Sequence, residues 1–333
     1  MSVKCLGADF GTDWALYHGD CVDVVRQMPD ESVGFSVYSP PFANLYTYSD
    51  SPLDMGNCAD DAEFLRHYGF LVDELHRALL PGRLTAVHCK DLVNYKGRDG
   101  MAGLRDFPGE IIRLHERAGF AFHSRVTVWK CPVVEQRRTK AHGLLYKQLR
   151  ADSTFSRQGL AEYVLVFRKW ASEADEARVQ PVTHTKSGFP LEQWQRWASP
   201  VWADLGMCIA QMDTPPDVEQ SAIRAADPGA IRQTHVLNVQ EARDDADEKH
   251  MCPLQLDLIE RCLGLWSNVG DTVLSPFAGI ASEGVGSLRA GRKFVGVELK
   301  DSYFRTAARN LNAASVQPDM FSPMSGDANK RTA

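Results

Sequence analysis

Hydrophobic positions along this chain follow two periods in turn. At Val33, Phe35 and Val37 they recur every second residue, which predicts a strand running directly into Ser39. Over residues 63–80 they fall on Phe64, Leu65, Tyr68, Leu71, Val72, Leu75 and Leu79, three or four apart, which predicts a helix stopped by Pro81-Gly82. The same two signals predict strands over 15–18, 84–88, 122–129 and 163–167, and a helix that begins near Pro108 and stops at Gly119. Between 171 and 249 neither period holds, and the stretch is rich in Trp, Pro and acids. Order returns with a helix over 253–266, a strand over 272–274, a helix over 281–290, a strand over 294–298 and a helix over 302–311. Strands alternating with helices imply an α/β fold with a doubly wound, mostly parallel sheet.

The expected organisation is therefore a first half over 1–170, an irregular insert over 171–249, a second half over 250–315 and a polar, fraying tail over 316–333. Trp194, Trp197 and Trp202 are expected to form a small hydrophobic core within the insert.

Composition narrows the class. The apolar content of 44% over 333 residues is ample for a core. No apolar run is long enough to span a bilayer, and Met1-Ser2-Val3-Lys4 opens no signal peptide, so a cytoplasmic protein is expected. Eight cysteines are scattered without a C-x-x-C pair, so reduced thiols and no metal are expected. The net charge of −6 hides a basic segment. Within 130–170, Lys130, Arg137, Arg138, Lys140, Lys147, Arg150, Arg157, Arg168 and Lys169 face only Glu135, Asp152 and Glu162. Such a segment serves phosphate contact or is simply a solvated face.

Two stretches carry chemistry. Ser39-Pro40-Pro41-Phe42 ends the second strand. Read as a site, Ser39 Oγ and the Pro40 carbonyl would accept the hydrogens of an exocyclic amine and Phe42 would stack on a planar base. The paired prolines fix φ and donate no N–H. Read plainly, it is a strand followed by a proline turn. The loop Ser275-Pro276-Phe277-Ala278-Gly279 follows a strand and opens a helix, with Glu298 at the tip of the next strand. That pattern fits a nucleotide-type crevice in which Glu298 takes ribose hydroxyls. A dinucleotide site, although G-x-G-x-x-G is absent, and a purely structural crossover fit it too.

Together the stretches resemble the S-adenosylmethionine-dependent DNA amino-methyltransferases, which modify adenine N6 or cytosine N4. Ser39-Pro40-Pro41-Phe42 matches that family's D/N/S-P-P-Y/F/W motif, and residues 275–282 resemble its D-P-F-x-G-S-G-T loop. Catalytic motif first, insert next and cofactor loop last is similar to the permuted beta group. Leu16-Tyr17-His18-Gly19-Asp20-Cys21 and His250-Met251-Cys252-Pro253-Leu254 also fit that group. Leu45-Tyr46-Thr47-Tyr48-Ser49-Asp50 resembles solitary phage or prophage members.

The resemblance implies a permuted Rossmann-like methyltransferase fold, S-adenosylmethionine as cofactor, duplex DNA as partner and a homodimer. It implies that Ser39, Pro40, Pro41 and Phe42 hold a flipped base. Ser275, Pro276, Phe277, Ala278, Gly279, Asp20, His250, Pro253 and Glu298 would line the cofactor site. Tyr46, Arg137, Arg138, Lys140, Lys147 and Arg150 are candidate DNA contacts. Two departures stand out: Ser275 replaces an aspartate, and Ile280-Ala281 replaces Ser-Gly. They admit weaker cofactor binding, or an inactive DNA-binding relative. Serine at the first motif position is commoner among cytosine-N4 enzymes and adenine enzymes are commoner among solitary members, so the acceptor is adenine, slightly favoured, or cytosine.

Overall fold

A strand with no polar face sits near the middle of the molecule. The computed structural model describes residues 5–42, 51, 53–94, 96–132, 146–154, 159–203, 231–232, 235–238 and 253–316. In chain order, β1 (Gly7–Phe10), β2 (Trp14–His18), α1 (Cys21–Arg26) and β3 (Val33–Tyr38) lead to α2 (Asp61–Ala78) and β4 (Leu79–Cys89). The small pair β5 (Leu92–Asn94) and β6 (Gly103–Arg105) flanks α3 (Lys96–Asp99), and α4 (Phe107–Arg117) and β7 (Phe120–Val128) follow. Then come α5 (Tyr146–Ala151), β8 (Glu162–Lys169), α6 (Leu191–Trp197), β9 (Val201–Trp202) and α7 (Leu256–Trp266). The chain closes the fold with β10 (Thr272–Ser275), α8 (Ser282–Arg289), β11 (Lys293–Glu298) and α9 (Asp301–Val316).

The main sheet has the order β1-β2-β11-β10-β3-β4-β8-β7-β9. β2, β11, β10, β3 and β4 run parallel; β1 pairs antiparallel with β2 and β8 antiparallel with both β4 and β7, while β9 pairs parallel with β7. This is the mostly parallel, doubly wound arrangement expected. The last two strands of the chain lie between β2 and β3, so sequence order and sheet order are permuted.

Helices cover both faces, which is why β3 is buried along its whole length. Val33 and Tyr38 pack with α1, α2 and α4, while Phe35 and Val37 pack towards α7. β8 does the same: Leu165 and Phe167 serve the first layer, Val164 and Val166 the second. Each such side chain contributes about 1.5–3 kcal/mol by leaving water.

Three expectations need correction. The second helix ends at Ala78 rather than at Pro81, because Leu79 is already extended and its N–H closes the helix on Leu75. Pro81 and Gly82 sit inside β4, where the register against β3 shifts between Val33 and Phe35 and Gly82 takes φ +76°. α7 starts at Leu256, because Gln255 is extended at its N-cap. The three tryptophans form no separate core either. Trp202 is 1% exposed, and its strand β9 extends the main sheet beside β7. Its ring stacks on Trp266 with centroids 6.0 Å apart, and the Arg261 guanidinium lies 4.9 Å from its centroid. Trp194 remains 45% exposed.

One buried charge ties the strand starts together. Arg83 is 1% exposed; its Nε–H donates to the Gly34 carbonyl at 2.9 Å and Nη1 to the Gln180 carbonyl at 3.1 Å. Nη2 pairs with Asp271, at the start of β10. A buried pair gains little over apolar packing, but losing one partner strands the other charge. Asp271→Ala is therefore expected to cost about 3–5 kcal/mol in urea denaturation, and Arg83→Met in the same chain should restore part of it.

Candidate active site

The site begins where two neighbouring strands stop pairing. β10 bonds to β3 only at Val273–Phe35 and Leu274–Ser36, with the Ser36 hydroxyl donating to the Leu274 carbonyl at 2.9 Å. Beyond that point the loops over 275–281 and 39–42 leave from adjacent carboxyl ends. That is the place where open α/β sheets hold ligands.

Backbone bonds shape the first loop. The Ala278 N–H donates to the Val297 carbonyl at 2.8 Å. Gly279 has φ +54°, and its N–H donates to Glu298 Oε2 at 2.8 Å. The Lys300 N–H donates to the other carboxylate oxygen at 2.9 Å. The Gly19 N–H reaches the Glu298 carbonyl at 3.0 Å, which seats Asp20 beside this tip as the N-cap of α1. Ala281 stands where the resembled motif has its second glycine and keeps the left-handed turn, φ +64°. A Cβ commonly makes that conformation cost about 1–2 kcal/mol.

Space and charge fit a cationic, ribose-bearing ligand. A Cβ at Gly279 would meet no atom within 4 Å, so the loop backbone borders open space. Among the described residues the buried hydroxyls of Ser275 and Ser282 have no protein partner, so each has hydrogen-bonding capacity left for a ligand. Burial pushes the Glu298 carboxyl up to about 7, the Asp54 charge adds to the rise, and the two backbone N–H groups oppose it. Burial pushes Glu283, on α8, up to about 8, with Glu298 adding to it. Asp20 is also raised, first by burial and then by Asp23. A positive ligand entering here would favour the charged form of these carboxyls and lower them again.

The second loop adjoins a buried polar chain. Ser39 Oγ lies 3.2 Å from the His88 carbonyl and 3.3 Å from His88 Nδ1. His88 Nε2 is 3.0 Å from Glu162 Oε2, and Lys130 Nζ is 2.7 Å from the same oxygen. Burial alone would raise the Glu162 carboxyl; His88 and Lys130 outweigh it and hold it well below the usual carboxylate range. Pro40 is buried, and Pro41 and Phe42 are half-buried.

An aromatic seam joins the two loops. From Phe42 it runs to Phe107 at 6.2 Å, Phe64 at 5.8 Å and Tyr68 at 5.7 Å between centroids. The Tyr68 and Tyr38 hydroxyls are 2.8 Å apart, and both rings approach Phe277 of the first loop, at 6.4 and 5.9 Å. Burial raises both phenols further above the tyrosine range. Neutral, bonded and packed, they form a rigid spacer.

The structure thus brings together Asp20, Ser275, Pro276, Phe277, Ala278, Gly279 and Glu298 on one side and Ser39, Pro40, Pro41 and Phe42 on the other. Pro253 is half-buried ahead of α7, and among the described residues no hydrogen bond ties it to the loop. Lys147 and Arg150 are exposed on α5. Tyr46, Arg137, Arg138, Lys140 and His250 lie outside the described residues. The basic segment itself shrinks: Lys130 is buried on Glu162, Lys169 donates to the Leu79 carbonyl at 2.8 Å and Arg168 to that of Gly82 at 3.2 Å. Among the described residues no His/Cys/Asp/Glu cluster suits a metal, and no helix is long and apolar enough to cross a membrane.

His88, Glu162, Lys130, Tyr38 and Tyr68 were not singled out from sequence. His88 had a signal, standing near the end of a strand parallel to the one that carries Ser39. Its pairing with Glu162 depends on β8 running antiparallel, with His88 opposite Val164. Periodicity cannot show that.

Comparison with known proteins bears on the whole arrangement. The family model for N6/N4 methylases, described as DNA methylase, matches residues 33–309. An Escherichia coli K12 protein named DNA adenine methyltransferase YhdJ is 38% identical over 71 residues, 21% of this chain and 24% of that protein. The chain therefore aligns with about a quarter of that relative. The Methanocaldococcus jannaschii type II methyltransferase M.MjaI is 22% identical over 319 residues, 89% of this chain and 90% of its own. The crystal structure of a Thermus thermophilus protein titled a putative DNA modification methylase, complexed with S-adenosyl-L-methionine, shares the fold, with TM-score 0.59 and 21% identity over 90% of this chain and 94% of that one.

The raised carboxyls give a pH signature. A carboxyl whose folded pKa lies above its unfolded value makes the native state bind more protons, so stability falls as pH rises. For Glu298 and Glu283 that window runs from about 4.5 to about 8. The melting temperature of the ligand-free protein should fall across it, and Glu283→Gln should flatten the slope by at least about 1 kcal/mol.

Proposed function

The chain belongs to the N6/N4 family of DNA methylases, and we propose that it moves the methyl group of S-adenosylmethionine to the exocyclic amine of a base flipped out of duplex DNA, adenine N6 being favoured. The carrying observation is that the Ser39–Phe42 loop and the loop over 275–281 leave adjacent strand ends where β3–β10 pairing stops. The similarity to a protein named as an adenine methyltransferase supports adenine. Ser39 in place of an acidic or amide residue favours cytosine N4 as the second reading.

The cofactor supplies an electrophilic methyl on a sulfonium. Glu298, aimed by two backbone N–H groups, would accept the ribose hydroxyls. Asp20 would take the adenine amine and Phe277 would pack on the ligand. The Ser275 hydroxyl, without a partner among the described residues, is the acceptor left where the family has a carboxylate.

An exocyclic amine within the stack is out of reach, so the nucleotide is extruded at a cost of a few kcal/mol. Phe42 would stack on the extruded base. Ser39 Oγ and the Pro40 carbonyl would accept its amine hydrogens, letting the nitrogen lone pair localise for attack. The aromatic seam sets the spacing between that pocket and the cofactor loop. Lys147 and Arg150, with Tyr46, Arg137, Arg138 and Lys140, would supply backbone contacts. On family resemblance the working unit is a homodimer in the cytoplasm.

Incubation with methyl-labelled S-adenosylmethionine and unmodified duplex DNA, followed by hydrolysis to nucleosides, should put label in N6-methyladenine. Label in N4-methylcytosine would select the second reading, and bound cofactor with no label in DNA would sink both. Ser39→Ala and Phe42→Ala should each lose turnover at least about 100-fold while DNA affinity stays within a few-fold; a matching loss of affinity would mark the motif as structural. Gly279→Ala should weaken cofactor binding at least about tenfold, because its Cβ would enter the cradle, with about 1–2 kcal/mol lost from stability.

A further inference from the structure

The geometry of the polar chain behind Ser39 fixes the direction of its hydrogen bonds. Four separate elements build it: the loop after β3 gives Ser39, β4 gives His88, the segment after β7 gives Lys130, and β8 opens with Glu162. His88, Lys130 and Glu162 are 7%, 5% and 7% exposed. Paired with the Lys130 ammonium at 2.7 Å, Glu162 is a carboxylate and only accepts. Lys130 Nζ and His88 Nε2 converge on its Oε2 at 2.7 and 3.0 Å. The proton of a neutral His88 ring therefore sits on Nε2, and Nδ1 is bare. Ser39 Oγ then faces two acceptors, Nδ1 at 3.3 Å and the His88 carbonyl at 3.2 Å. Its single proton is committed to that side, and its lone pairs are left for the base.

We propose, resting on the reading that Ser39 faces the target amine, that Glu162 and Lys130 lock His88 in the Nδ1-bare tautomer and so make Ser39 a hydrogen-bond acceptor towards the base. His88 and Glu162 are thus positioning residues, acting on the amine through Ser39. With the opposite tautomer, Nδ1–H would donate to Ser39 Oγ, occupy one lone pair and weaken the other as an acceptor.

The ring nitrogens report the tautomer directly. In protein labelled with 15N-histidine, two-bond 1H–15N spectra of the wild type should show His88 protonated at Nε2 and bare at Nδ1, without cofactor or DNA. A His88 signal showing Nδ1–H, or both nitrogens protonated, would overturn the proposal.

In Glu162→Gln, Lys130 holds the amide oxygen, the amide NH2 turns to Nε2, and the proton should move to Nδ1. kcat should then fall at least tenfold with KM for the cofactor within threefold. His88→Leu should show the same split, and His88→Asn, which keeps an acceptor near Nδ1, should recover kcat to within a few-fold of wild type. Wild-type kcat in a folded His88→Leu would sink the positioning role. Absence of DNA methylation by the wild type would remove the proposed function instead, and the tautomer readout would still decide this assignment.

Discussion

The early end of the β10–β3 ladder is the constraint on which the site depends. Two residue pairs and one serine hydroxyl hold these strands together. Because they are parallel neighbours, both following loops are delivered to the same edge. One loop brings Gly279 against Glu298, the other brings Ser39 against His88. Moving either strand by one residue would turn its outgoing side chain to the opposite face and separate the two chemistries. Arg83, bonded to Gly34 of β3 and paired with Asp271 ahead of β10, holds the other end of the same strands in register.

Charge placement follows a single pattern around this edge. Carboxyls beside the 275–281 loop are raised by burial. The Glu162 carboxyl behind the Ser39 loop is pulled the other way by His88 and Lys130. Two sets of acids, embedded in one sheet, are thus given opposite protonation by their partners alone. The buried Tyr38–Tyr68 pair, its hydroxyls bonded to each other, is kept neutral by burial.

Much of this was legible from residue order. The alternation of periods gave the sheet class, and Ser39–Phe42 and Ser275–Gly279 stood at strand ends as expected. The exceptions have physical causes. Pro81-Gly82 looked like a helix stop, but a cap at Leu79 ended the helix first and the strand absorbed the pair as a register shift. Trp202 looked like part of an isolated cluster, but two backbone bonds carry it to the sheet edge: the Thr127 N–H to the Pro200 carbonyl at 2.8 Å and the Trp129 N–H to the Trp202 carbonyl at 2.8 Å. Lys130 looked like surface charge because sequence cannot show that Glu162 lies within reach. For Trp202 and Lys130 a partner distant along the chain decided the outcome, and for Pro81-Gly82 a local cap did.

The permuted strand order also bears on how the molecule is made. β2 and β3 leave the ribosome early, yet the strands that separate them in the sheet, β11 and β10, are among the last to be synthesised. Until then β3, apolar on both sides, has an open edge where β10 will later pair, and nothing to fill it. Such an edge invites pairing with other chains. The sheet's centre can close only through contacts between distant parts of the chain, which are slow to form. Until β10 and β11 have been made, that edge of β3 is exposed to the kind of misassembly that incomplete sheets undergo.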